Sequence, residues 1–156
     1  MEQQLEKTPV PGWFRRVWRY GPLLAWLAFI FFASTDSFSA SNTSRFVRPF
    51  LYWLMPGADE ARIVFLHGAI RKAAHFSEYA LMALLAARSF STSSKAWLRQ
   101  HWFWWAALLV VAYALFDEYH QSFVPTRTGS IYDSMIDTAG GLTLLVLYRW
   151  RRNRRA

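Results

Sequence analysis

Four apolar runs alternate with polar clusters along the chain: Tyr20–Ala33, Ala73–Ala87, Trp102–Phe116 and Ile131–Tyr148. The first opens on Gly21-Pro22, and proline is tolerated in a first helical turn because its missing N–H would be unpaired there anyway. Crossing a hydrocarbon core about 30 Å thick takes roughly 20 helical residues. Runs of 14, 15, 15 and 18 residues are short by that measure, so each must continue into its polar flank. Polar residues are thereby drawn to membrane depth. The pattern predicts an all-α, polytopic membrane protein of four transmembrane helices. A further segment, FVRPFLYWLM at 46–55, is too short to span and is interrupted by Arg48 and Pro49. It reads as an outer interfacial or re-entrant helix.

Arginine and lysine near the run ends set the orientation, because cytoplasmic loops retain them. Lys7, Arg15, Arg16 and Arg19 precede run one, Arg88, Lys95 and Arg99 lie between runs two and three, and Arg149, Arg151, Arg152, Arg154 and Arg155 follow run four. With four spans these three places share a side, so both termini are expected in the cytoplasm. Residues 34–70, where Arg45, Arg48 and Arg62 balance Asp36, Asp59 and Glu60, and the net acidic loop 117–130 fall on the other side. Trp13, Trp18, Tyr20, Trp97, Trp102, Trp104, Trp105, Tyr148 and Trp150 cluster at the inner ends, as an interfacial belt would. A competing reading takes residues 1–33 as a cleaved signal peptide, but no small-x-small site of the A-x-A kind follows Phe32. One domain results: a cytoplasmic N-terminal segment at 1–19, a four-helix membrane domain at 20–150 and a basic tail at 151–156.

Composition agrees with segregation. The chain is 54% hydrophobic and 19% aromatic yet carries a formal charge of +8, too apolar for an ordinary soluble domain and too charged for uniform burial in lipid. A pI near 10.3 raises nucleic acid as a partner. The bases, however, stand beside apolar runs rather than on one face of a soluble element, so no nucleic-acid binding is expected. The absence of cysteine excludes disulfides and thiolate metal sites.

Most of the remaining polar residues fall at one end of this arrangement. Ser34, Thr35 and Asp36 end the first run. Arg71, Lys72, His75 and Glu78 enter the second, and Asp117, Glu118, His120 and Gln121 leave the third; Arg127 lies in the following loop, and Asp133 and Asp137 enter the fourth. Helical spacing puts Arg71, His75 and Glu78 on one stripe, Asp133, Asp137 and Gly140 on another, and Asp117 and Gln121 on a third. Ionisable groups at membrane depth are costly and face a bundle interior or a water-filled cavity. The plain alternative is that they pair and lock the bundle, but six acids with three bases and two histidines exceed what locking needs. His75 and Glu78 at i, i+3, with Asp133 and Asp137 at i, i+4, carry donor types that suit a metal; the spacing is common by chance, and no metal or other cofactor is expected. His67 and His101 read as interfacial residues, Gly140-Gly141 as a close helix-packing face, and the Arg-rich tail as a topology signal in contact with anionic lipid.

RKAAHFSEY, Arg71–Tyr79, is similar to the signature R-K-x-x-H-F-x-E-Y of the VanZ family of bacterial membrane proteins. DEYHQSFVPTRTGSIYDSMIDTAG, Asp117–Gly140, resembles its second signature, D-E-x-x-Q-x-F-x-P-x-R-x-x-x-x-x-D-x-x-x-N-x-x-G, and Ser34-Thr35-Asp36 fits a small polar motif of that family. The resemblance covers about residues 20 to 150. Two positions depart from it: Asp137 stands where the family has asparagine, and Thr126 where glycine is frequent. The resemblance implies a four-helix membrane fold in the bacterial cytoplasmic membrane and, for the founding member, low-level resistance to the glycopeptide teicoplanin. It supplies no established reaction.

Two classes of function follow. In the first, a cell-envelope protein binds an anionic lipid or lipid-linked cell-wall precursor in an outer-leaflet pocket and alters envelope behaviour or drug susceptibility. Arg71, Lys72 and Arg127 would hold the headgroup through charge-assisted hydrogen bonds, with Asp36, Glu118, Gln121 and Asp137 completing the binding site. In the second, the same pocket is a hydrolase or transferase site, with His75 as general acid or base oriented by Glu78, and Asp117 or Asp133 as counterpart. A proton-coupled transporter is a third reading, for which four short helices leave little room. Oligomeric state is not legible.

Overall fold

The computed structural model describes residues 11–154, apart from Thr126, Thr128 and the side chain of Ser37. Thr126, one of the two departures from the family pattern, therefore lies outside the described residues. Among those described there are helices and no strands: α1 (Gly12–Ala33), a 3-10 turn (Asp36–Phe38), α2 (Ala40–Leu54), α3 (Glu60–Ser91), α4 (Ala96–Gln100), α5 (Trp102–Gln121) and α6 (Ile131–Asn153). The all-α expectation holds.

Every apolar run is helical, and every helix reaches beyond its run. α1 starts at Gly12, so Pro22 lies inside the helix rather than in its opening turn, which corrects the sequence reading. Residues 13–19 contain neither glycine nor proline and are entered from Pro11 and Gly12. Inside α1, Pro22 leaves the Trp18 carbonyl without its usual helical donor. α2 begins six residues before the segment 46–55, because the Ser39 hydroxyl accepts from the Asn42 N–H and caps the helix at 3.3 Å. α3 is 32 residues long and takes up much of the expected outer loop, starting where Asp59 accepts from the Arg62 N–H at 2.8 Å.

α3 is the centre of the bundle. It packs most extensively against α6, and α5 closes a triangle with both; α1 and α2 lie on α3 elsewhere. Small residues let the backbones approach: a Cβ built on Gly140 would stand 2.3 Å from the Phe76 carbonyl oxygen, and one on Gly141 2.5 Å from a Val110 methyl. The close-packing reading of Gly140-Gly141 is correct, and the pair joins α6 to α3 and α5. The apolar core runs through Leu23, Ile30, Tyr79, Met82, Ala83, Ala86, Val110, Ala114 and Leu145.

Cross-contacts fix the two ends. At one, Tyr20 shares a hydrogen bond with Ser93 at 2.8 Å, Ser89 donates to the Arg19 carbonyl at 2.7 Å, and Trp102 meets Tyr148 edge-on at 5.6 Å. Arg149 and Arg152 lie over Phe103 and Trp102 there. The aromatic and basic residues expected at one boundary do share one end. At the other end stand the loop 122–130, the α1 C-terminus and the polar cluster.

Among the described residues no helix is both long and apolar enough to cross a membrane. α3 carries Arg71, Lys72 and Glu78, α6 carries Asp133 and Asp137, and the ends of α1 and α5 are built of Trp, Tyr and charged residues whose amphipathic or polar side chains lower the mean hydropathy.

Candidate functional site

Three helices bring the polar residues to one place. α3 supplies Arg71, Lys72 and His75, α5 ends with Asp117, Glu118 and Gln121, and α6 begins with Asp133 and Asp137. Between them is a cavity of about 370 Å³ lined by Arg71, Lys72, His75, Arg127, Asp133 and Asp137, with Gln121 and His67 also at its wall. A smaller cavity of about 150 Å³ lies toward α1; it shares Arg71, His75 and Arg127 and adds Glu78 and Ser34.

His75 and Asp137 meet across the α3–α6 contact. Nδ1 and Oδ1 are 3.4 Å apart, close enough for charge attraction, although the ring N–H direction makes no hydrogen bond. Asp137 is wholly buried, and both its oxygens lack a hydrogen-bond partner among the described residues. Beside it, Asp117 is 1% exposed and accepts from Gln121 Nε2 at 2.9 Å. Glu118 is 7% exposed; its Oε2 accepts from the Ser130 N–H at 2.5 Å, while Oε1 has no partner among the described residues. Asp117, Glu118 and Asp137 each present an oxygen within 4.8 Å of the others.

Arg127 comes from the loop between α5 and α6. Its Nη2 donates to the carbonyls of Ala33 at 2.8 Å and Thr35 at 3.2 Å, closing the C-terminal end of α1, where helix carbonyls lack intrahelical donors. Burial first, and then the like charge of Arg71, lower the guanidinium pKa, so two arginines repel each other across the cavity. Arg71 is in turn drawn to Asp133, and Lys72 lines the cavity from an exposed position. Asp36 is exposed in the 3-10 turn and attracts Arg127 electrostatically.

Two placements differ from the sequence reading. Glu78 does not share the main cavity with Asp133 and Asp137; the carboxylate beside His75 Nδ1 is that of Asp137. A step of three residues turns a helix about 300°, so Glu78 is rotated about 60° from His75, toward α1. His67 is buried rather than interfacial, with Nε2 3.4 Å from the Thr43 hydroxyl, because α3 extends upstream and carries it one turn before Arg71, where α2 packs. His101, by contrast, is exposed at the start of α5. Sequence reasoning also passed over Tyr79, whose side chain is fully buried and whose hydroxyl has no partner among the described residues. The available signal was its place as the last letter of the first motif.

Comparison with known proteins agrees with that motif. A family model described as VanZ/LLP1 matches residues 20–152. No curated protein and no solved structure matches the chain.

Proposed function

The chain belongs to the VanZ/LLP1 family, and on that footing we propose that it is a multi-pass protein of the bacterial cytoplasmic membrane that binds a phosphate-bearing lipid, or a lipid-linked envelope precursor, in the cavity between α3, α5 and α6. Family membership is consistent with a cell-envelope, membrane-associated protein and with a link to glycopeptide susceptibility. In this reading α1, α3, α5 and α6 span the membrane, both termini are cytoplasmic and the cavity opens to the outer leaflet.

Inverted burial supports the membrane setting. Leu24 is 62% exposed, Leu108 57% and Val146 57%, while Asp117 and Asp137 are shielded inside. Apolar surface on this scale needs a partner, and lipid is the one that matches it on all sides. α2, with Phe46 and Trp53 turned outward, serves as the interfacial helix.

The observation that carries the ligand class is the convergence of Arg71, Lys72 and Arg127 on one 370 Å³ cavity. Arg71 and Arg127 repel each other there, and an anion between them would relieve the repulsion through charge-assisted hydrogen bonds. Native mass spectrometry of the detergent-purified protein tests this. A phosphate-bearing lipid retained by the wild type and lost from Arg71→Gln and Lys72→Gln supports the reading; equal retention by all three sinks it.

A second reading, an enzyme acting on the same lipid, is favoured by one contact: the approach of His75 to Asp137. It couples an imidazole to a buried carboxylate, the pairing that general acid–base chemistry uses. In this reading Asp137 takes the orienting role that the sequence suggested for Glu78.

A further inference from the structure

Beside the basic residues of the cavity lies an acidic cluster whose charge would not itself hold an anionic headgroup. Asp117 and Glu118 from the end of α5 and Asp137 from α6 form a triangle of shielded carboxylates. Three acids this close repel one another, and burial removes the water that would screen them. Protein donors answer only part of this. Gln121 serves one oxygen of Asp117 and the Ser130 N–H one of Glu118, whereas Glu118 Oε1 and both Asp137 oxygens have no donor among the described residues. Arg127, the nearby strong base, spends its Nη2 on the carbonyls of Ala33 and Thr35.

A second group stands on the same helix face, since Tyr79 lies one turn along α3 from His75, the residue that meets Asp137. Tyr79 of α3 is 0% exposed, its hydroxyl is without a partner among the described residues, and the charges it feels are chiefly those of Asp117 and Asp137, with Glu118 further down. A buried phenol left unpaired beside unpaired carboxylate oxygens is unexpected in a packed bundle, since each such group forfeits a hydrogen bond. One occupant would satisfy all of them.

We propose that Asp117, Glu118 and Asp137, with the Tyr79 hydroxyl, form a binding site for one divalent cation of the oxygen-preferring class, Mg²⁺, Mn²⁺ or Ca²⁺. Size agrees. Ligands on opposite sides of an ion are about 4.2 Å apart for Mg²⁺ and about 4.8 Å for Ca²⁺, twice the usual metal–oxygen distances, and the three carboxylate oxygens already lie within 4.8 Å of one another. Chemistry agrees too, because carboxylates and a phenol are hard oxygen donors without a thiolate among them. Two positive units offset most of the charge of the three carboxylates, with His75 beside Asp137 and Arg127 nearby to set against the further acids Glu78 and Asp133. The site goes beyond lipid binding and stands whether or not a lipid fills the cavity beside it.

The test is Mn²⁺ binding to the full chain, purified in detergent, stripped with a chelator and freed of it, with free Mn²⁺ followed by electron paramagnetic resonance. One saturable ion per chain is expected, displaced by Mg²⁺ or Ca²⁺. Asp117→Asn, Glu118→Gln and Asp137→Asn keep side-chain shape and should each weaken binding by at least about tenfold, the scale on which losses at metal sites register; Glu60→Gln, remote from the cluster, should leave it unchanged. No saturable binding by the wild type, or equal affinity in the three neutral variants, overturns the proposal. Should those variants not fold, the wild type alone decides through fluorotyrosine labelling. Stoichiometric Mn²⁺ must broaden the buried Tyr79 resonance beyond detection, and a Tyr79 signal left sharp while the exposed tyrosines broaden rejects the site.

Discussion

Asp137 Oδ1 on α6 lies 3.4 Å from His75 Nδ1 on α3, and one turn further along α6 Gly140 rests against the carbonyl of Phe76. Side-chain and backbone contacts thus fall on the same stripe. The polar site is held wherever the two helices are held, and loosening the glycine contact should open the site as well as the bundle.

Gly140→Ala is therefore expected to be severe. The added methyl would meet the Phe76 carbonyl oxygen at 2.3 Å, a backbone atom that cannot rotate away. Overpacking of this kind costs about 1–3 kcal/mol, and thermal unfolding in detergent should show it. Gly68→Ala is the internal control. It lies in the same helix as Phe76 with nothing within 4 Å, and an alanine there should gain about 0.5–1 kcal/mol of helix stability.

Asp137→Asn is expected to fold at least as well as the wild type in chelator. The resembled family carries asparagine at this position, and the substitution removes one of three adjacent buried charges while keeping volume. Asp137→Leu keeps neither the oxygens that face His75 nor the shape, and should fall below both. Melting temperatures of the three proteins, measured in chelator, check the order; an asparagine variant less stable than the leucine one would contradict it.

Much of this was legible in the sequence. Spacing put Arg71 and His75 on one stripe and Asp133 and Asp137 on another, and depth put both stripes at one end; the α3–α6 contact joins them as expected. Asp117 and Gln121 at i, i+4 make a direct hydrogen bond at 2.9 Å. What failed to show was tertiary. Glu78 belongs to the same motif as His75, yet it faces α1, because the side of a helix that meets each neighbour is set by packing angles that no motif encodes. His67 looked interfacial since no carboxylate stood near it in sequence. α2, folding back on α3, brought Thr43 to it from 24 residues away. The unpaired state of Tyr79 depends on three helices at once.

Arg127→Lys should destabilise the α1 end of the bundle. One nitrogen of the guanidinium serves two carbonyls, those of Ala33 and Thr35. An ammonium on a shorter, freer side chain lacks the fixed fork that reaches them from the loop. Hydrogen bonds from a charged donor contribute about 1.5–3 kcal/mol each, and partial solvent access places the net loss near the lower figure. Faster hydrogen exchange confined to the last turn of α1 would mark this role, whereas unchanged exchange there would remove it.

The docking of α2 on α3 should weaken in acid. Glu60, the first residue of α3, accepts from the Tyr52 hydroxyl at 2.5 Å and pairs with Arg48, both on α2. The Tyr52 hydrogen bond first, and the Arg48 hydrogen bond and charge after it, hold the Glu60 carboxyl below its usual pKa. A carboxyl lowered on folding contributes stability that is fully present above its unfolded value, about 4.3, and is lost as pH falls through the lower folded value. Near neutrality the contact is therefore complete, and it fades only in the acid range below the ordinary carboxylate pKa. The pair is solvent-exposed, so the effect is local rather than global. Hydrogen exchange of α2, corrected for the intrinsic pH dependence of amide exchange, should quicken relative to α5 across that range. Glu60→Gln should show the quickened α2 exchange already at neutral pH and no further change on acidification. An α2 as protected in Glu60→Gln as in the wild type would mean that its docking rests on Leu51 and the Thr43–His67 contact alone.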